Sequence, residues 1–176
     1  MVERATIEFD EEMGAPAILV RDRSTLIIRD AQLTGTETPA IVIEGSARAF
    51  MKDASLGILT LAEEASLRAE DTEIRSLSLS DGARASLYGV TISEGVSMTG
   101  EAVSLTIVDT RIEPSVGAGH LAKLSVEGGS VWIRESMVYS TGPPELGSAA
   151  LSETTLLVQK LTEETVLVAT VSNPAP

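Results

Sequence analysis

Apolar and polar residues alternate at period two in short bursts along this chain, and the bursts repeat. One pattern recurs: apolar, any, apolar, any, acidic, small, any, apolar. It reads Leu26, Ile28, Asp30, Ala31, Leu33, then Ala49, Met51, Asp53, Ala54, Leu56, then Leu67, Ala69, Asp71, Thr72, Ile74. Further copies are Ala85, Leu87, Gly89, Val90, Ile92, with Gly in place of the acid, and Leu105, Ile107, Asp109, Thr110, Ile112. Two more are Val131, Ile133, Glu135, Ser136, Val138 and Ala149, Leu151, Glu153, Thr154, Leu156. Ile7 with Phe9 reads as an incomplete first copy, and Leu167 with Ala169 as a partial last one.

Subtracting successive start positions gives intervals of 18 to 26 residues, mostly 18 to 20. A repeat this short cannot hold two helices. It can hold three short strands and three turns, and its inner alternation is strand geometry. A second apolar pair follows in most copies: Ile18 and Val20, Ile41 and Ile43, Leu59 and Leu61, Leu77 and Leu79, Val96 and Met98, Leu124 and Val126. Stacking the copies puts like side chains in columns at strand spacing, so each coil buries its apolar residues against its neighbours. The prediction is an all-β chain forming one domain, residues 1–176. It is a right-handed parallel β-helix, a solenoid of about eight coils. The first coil is incomplete from residue 7, further coils start at 26, 49, 67, 85, 105, 131 and 149, and a partial last one starts at 167.

Segments such as Leu105-Thr106-Ile107-Val108-Asp109-Thr110-Arg111-Ile112 resemble the right-handed parallel β-helices of the pectate-lyase-like, autotransporter-passenger and viral-spike class. The resemblance covers nearly the whole chain. It implies an architecture and leaves activity open, because the class includes lyases, hydrolases, adhesins and viral spikes. A left-handed hexapeptide solenoid fits worse. It needs apolar residues six apart, whereas Leu67 and Ile74, like Leu105 and Ile112, are seven apart. Bactofilin-like filament proteins have similarly short coils, but their Gly-rich pattern is not matched.

Composition narrows the chemistry. Only one Trp, two Tyr and two Phe are present, so the core is built from small aliphatic side chains. The 13 basic and 26 acidic residues give a net charge of −13, which argues against a nucleic-acid partner and for a repulsive, soluble surface. Lys and Arg look scattered along the sequence. Cysteine is absent, which excludes disulfides and thiolate chemistry. No apolar run reaches the roughly 20 residues of a membrane span. Residues 1–8 lack a signal-peptide pattern, so the expectation is a cytoplasmic or virion protein unless the chain is a fragment of a secreted one.

Four features are candidates for function. The acidic column could hold Ca²⁺ if carboxylates converge, with Asp53, Asp71 and Asp109 as its metal candidates, although turn-forming acids explain it more simply. Extra residues lie at 34–40 and 113–123, both between the first strand and the second, and an irregular stretch follows Tyr139. Loops on one side of a rigid rod commonly carry function, which makes Glu37, Glu113, His120 and Tyr139 loop-face binding candidates.

The third feature is the outward row of the first strand: Glu8, Ile27, Phe50, Arg68, Ser86, Thr106, Trp132, Ala150, Val168. Outward positions are normally polar, so Ile27, Phe50, Trp132 and Val168 are interface candidates. The fourth is an outward hydroxyl row, Thr60, Ser78, Ser97 and Ser125, read as a solvated sheet face. No catalytic set, cofactor motif or metal-spaced His pair is recognised. The functional expectation is a non-enzymatic structural or binding module. It would form a homo-oligomer or belong to a larger assembly, such as a viral decoration or tail component or a surface adhesin. A protein or glycan partner fits this reading. The alternative is a carbohydrate-active lyase or hydrolase with a site shared between subunits.

Overall fold

The computed structural model describes the backbone of residues 2–3, 6–8, 18–34, 39–112, 123–140, 150–152, 154–159 and 166–171, and the side chains of 18–33, 41–112 and 124–138. Among the described residues every regular element is a strand, and no helix is long and apolar enough to cross a membrane. The strands stack in parallel as a β-solenoid.

The first sheet has eight strands, among them Thr25–Arg29, Arg48–Lys52, Ser66–Glu70, Arg84–Tyr88, Ser104–Val108 and Ser130–Arg134. Val2–Glu3 flanks them at one end and Ala150–Ser152 at the other. Their register aligns Leu26, Ala49, Leu67, Ala85, Leu105 and Val131 in one column, as the repeat predicts. Ile28, Met51, Ala69, Leu87, Ile107 and Ile133 form the next inward column. Both columns are buried. Large and small residues complement each other within a coil, Ala49 with Met51, Leu67 with Ala69, Ala85 with Leu87. That keeps the cross-section filled without aromatic side chains.

The second sheet wraps the rest of each coil. In the middle of the rod one long strand per coil serves, Ser55–Leu61, Glu73–Ser80 and Thr91–Thr99. In the coils carrying the two insertions it splits into Gln32–Thr34 with Pro39–Ile43, and Arg111–Ile112 with Lys123–Glu127. The register also shifts at this point between Glu73–Ser80 and Thr91–Thr99. One corner of the cross-section thus takes up nearly all the extra residues, because a bend there leaves both flanking ladders in register; one further residue is added in the other turn, between Met98 and Leu105.

The turn column explains the acids. Asp30, Asp53, Asp71, Asp109 and Glu135 all have φ between 46° and 50°, and Gly89 has φ 63°. The position requires a left-handed backbone, which Asp and Gly adopt at lower cost than most residues. Gly89 therefore continues the column instead of interrupting it. The ladder runs through the turn: the amide of Asp71 donates to the Tyr88 carbonyl and that of Gly89 to the Val108 carbonyl. A second left-handed position closes each coil at Asp22, Gly45, Glu63, Asp81 and Gly100. Much of the acidic excess thus sits on two corners of the rod.

Next to the first turn, the buried hydroxyls of Thr72, Thr110 and Ser136 donate to the carbonyls two residues earlier, at 2.7, 2.9 and 2.6 Å. The same Thr110 and Ser136 oxygens accept from the amides of Val90 and Thr110 in the preceding coils. This satisfies polar groups that burial would otherwise leave unpaired.

Two expectations at the ends are corrected. Ile7 pairs with Leu33 in the second sheet, while Val2 pairs with Ile28 in the first. The first copy therefore starts earlier, and Glu8 leaves the outward row to pair with Thr34. The five-residue step from Val2 to Ile7 equals that from Ile28 to Leu33, which is the spacing that decides it. At the other end Val166–Val171 does not begin another coil. It pairs antiparallel with Thr154–Gln159 in the second sheet, Val168 opposite Leu157. Counting from Leu156, Gln159 falls where Leu77 sits after Ile74, so the first of the two apolar positions of the leg that would close the coil is polar.

Candidate docking face

The outer face of the first sheet carries three rows of outward side chains in register. The central row is Ile27, Phe50, Arg68, Ser86, Thr106, Trp132, as the alternation predicts, without Glu8 and Val168; Ala150 continues it in backbone register. Phe50 and Trp132 are 45% and 41% exposed, whereas Ile27 is half-buried beside Phe50. The flanking rows are Thr25, Arg48, Ser66, Arg84, Ser104, Ser130 and Arg29, Lys52, Glu70, Tyr88, Val108, Arg134.

The fold brings together cations that look scattered in the sequence. Arg29, Arg48, Lys52, Arg68, Arg84 and Arg134 are all exposed on this one face, where Glu70 is the one acid among the residues whose side chains are described; Glu3 also stands in backbone register with Arg29 at the end of the same row. Arg68 holds Glu70 at 2.7 Å, and Lys52 lies 3.8 Å from the same carboxylate. The hydrogen bond from Arg68, with the charges of Arg68 and Lys52, holds the Glu70 carboxyl below the usual carboxylate range. The Arg68 guanidinium also lies over the Tyr88 ring, 5.1 Å from its centre, in cation–π geometry. Arg134 pairs with Glu135 at 2.7 Å. Among the described residues no ion pair reaches Arg29, Arg48 or Arg84. A shallow depression of about 160 Å³ opens here, lined in part by Arg29, Phe50, Lys52, Arg68 and Glu70.

Comparison with known proteins gives no match: no protein family, curated protein or solved structure fits this chain. The face itself is therefore the ground for a functional reading. Acids border it. The column Asp30, Asp53, Asp71, Asp109, Glu135 follows directly on the Arg29 row, one residue beyond it in each coil. These acids are exposed, and among the described residues no cluster of three or more metal-binding side chains occurs. Asp53 and Asp71 stand on successive turns, Asp109 follows beyond the turn of Gly89, and all three are accounted for by their backbone angle.

Other candidates distribute differently. Thr60, Ser78, Ser97 and Ser125 do form one row on the second sheet, where the Ser97 hydroxyl donates to that of Ser78 at 3.1 Å. Leu19, 42% exposed, stands on that sheet beside Val42 and is missed by the repeat pattern. Glu37, Glu113 and His120 lie outside the described residues. So do the side chains of Tyr139 and Val168.

Proposed function

We propose that this chain is a non-enzymatic structural or binding solenoid that assembles with copies of itself through the outer face of its first sheet. Larger assemblies of the kind expected for a viral decoration or tail component, or for an adhesin, are concrete settings for it. The observation that carries the reading is the pair of aromatic residues, Phe50 and Trp132, standing outward and exposed on a rigid sheet face. Aromatic side chains held on a rigid sheet lose little entropy on binding and are frequent interface anchors.

Sedimentation of the purified chain over a wide concentration range tests the reading. Wild type is expected to associate, and Phe50→Ser with Trp132→Ser is expected to weaken association at least tenfold with an unchanged β-type circular dichroism spectrum. A wild-type chain that stays monomeric at millimolar concentration contradicts it.

A further inference from the structure

Charge decides what sits on this face. Two such faces packed squarely together would set Arg29, Arg48, Lys52, Arg68, Arg84 and Arg134 against their own copies, with only Glu70 and, in register with Arg29, Glu3 as acids on the same sheet. Like charges juxtaposed in an interface are strongly unfavourable. The face instead asks for an anionic occupant.

We infer that the occupant is the acidic edge of a second copy, the ridge of Asp30, Asp53, Asp71, Asp109 and Glu135. This rests on the self-assembly reading above and gives it a geometry. The argument is one of spacing. Cations on the face and carboxylates on the edge are both mounted on the same stacked coils, so both recur at the strand separation of about 4.8 Å. Two parallel rods in one axial setting therefore bring an edge carboxylate to a face cation in the coils of Asp30, Asp53, Asp71 and Glu135, while the coil of Gly89 lacks the acid and that of Asp109 lacks the cation. An extended acidic peptide or a phosphodiester chain repeats at a different interval and drifts out of step within a few coils.

Both partners have charge to spare. Among the described residues no ion pair reaches Arg29, Arg48 or Arg84 on the face, nor Asp30, Asp53, Asp71 or Asp109 on the edge. The edge also adjoins the face: Arg29 precedes Asp30, and Lys52 precedes Asp53. A two-fold axis parallel to the rod then lets each copy lay its edge on the other's face. The contact is made twice and closes as a dimer. The aromatic residues exclude water under the incoming ridge, which strengthens the ion pairs above them.

Charge exchange tests the inference by sedimentation at low and high salt. The face variant is Lys52→Glu with Arg68→Glu, and the edge variant is Asp53→Lys with Asp71→Lys. Each alone is expected to raise the dimer dissociation constant at least tenfold. Mixed in equal amounts they are expected to associate again, because the reversed edge meets the reversed face. Lys is less at ease than Asp at a left-handed turn, so Asp53→Asn with Asp71→Asn serves as a second edge variant. It keeps the turn preference, removes only charge, and is expected to weaken the dimer and reduce its salt dependence. If both exchanges leave association intact while Phe50→Ser with Trp132→Ser abolishes it, the face docks a copy without the edge. The inference then falls and the functional reading stands. A wild-type chain that never associates removes both. Loss in each exchange variant without recovery on mixing also overturns the edge-on-face contact.

Discussion

Leu105→Asp is expected to unfold the middle of the rod. Leu105 is 1% exposed, and its column neighbours are Ala85 and Val131. A carboxylate there meets only aliphatic side chains, with no cation and no water. An unpaired buried charge costs several kcal/mol, against a total stability on the order of 5–15 kcal/mol for a domain. The solenoid makes the damage worse, because each coil is held only by its two neighbours. Breaking a central coil removes support from both halves. Denaturant unfolding followed by circular dichroism should show loss of most of the β signal in water, and limited proteolysis should cut near the substitution. The neighbouring outward variant, Thr106→Asp, should change stability by less than about 1 kcal/mol, as surface substitutions usually do. Equal effects at the two positions would contradict the period-two placement.

Gly129→Ala is expected to cost about 2–4 kcal/mol. Two causes add. The residue has φ +77°, a left-handed angle that penalises a Cβ. A Cβ at that position would also lie 2.4 Å from the Val103 carbonyl oxygen, which is backbone and cannot swing away. Gly129 occupies the step before the first strand where Ala47, Ala65, Ala83 and Val103 stand, all buried. A melting temperature unchanged by the substitution would show that the close approach is absent.

Most of the fold was legible because two numbers, period two and the step of 18 to 20 residues, fix both which face a residue takes and which coil it joins. The column from Leu26 to Val131 and the outward row from Ile27 to Trp132 follow from those alone. The ends were not legible by the same route. A strand of alternating residues reads alike in a parallel coil and in a reversed pairing, so Val166–Val171 matched the repeat and still turned back. The acid column and its place in a turn were visible, but the backbone angle was not, since a left-handed φ leaves no mark in sequence beyond a taste for Asp and Gly. Gly89 was the clue, being the other residue type that the angle favours.

The charged face is not legible in the sequence. Lys and Arg occur at irregular intervals in a chain whose net charge is −13, so nothing along the chain marks them as a group. They come together only when the outward positions two residues either side of the central row are stacked. That operation puts Arg29 next to Lys52 and Arg48 next to Ser66. The row that the alternation singled out is thus the middle of a basic strip with aromatic residues in it, framed by acids.

Collisional quenching tests that strip most directly. The chain has a single Trp, which allows its reporter to be moved. In the variant Phe50→Trp with Trp132→Phe, the indole stands among Arg29, Lys52 and Arg68. In dilute solution, iodide is expected to quench its fluorescence more efficiently than caesium, although the protein as a whole is strongly acidic and repels anions. The difference should shrink with added salt. Stronger quenching by caesium would mean that the overall charge governs this face and that the fold does not gather its cations there.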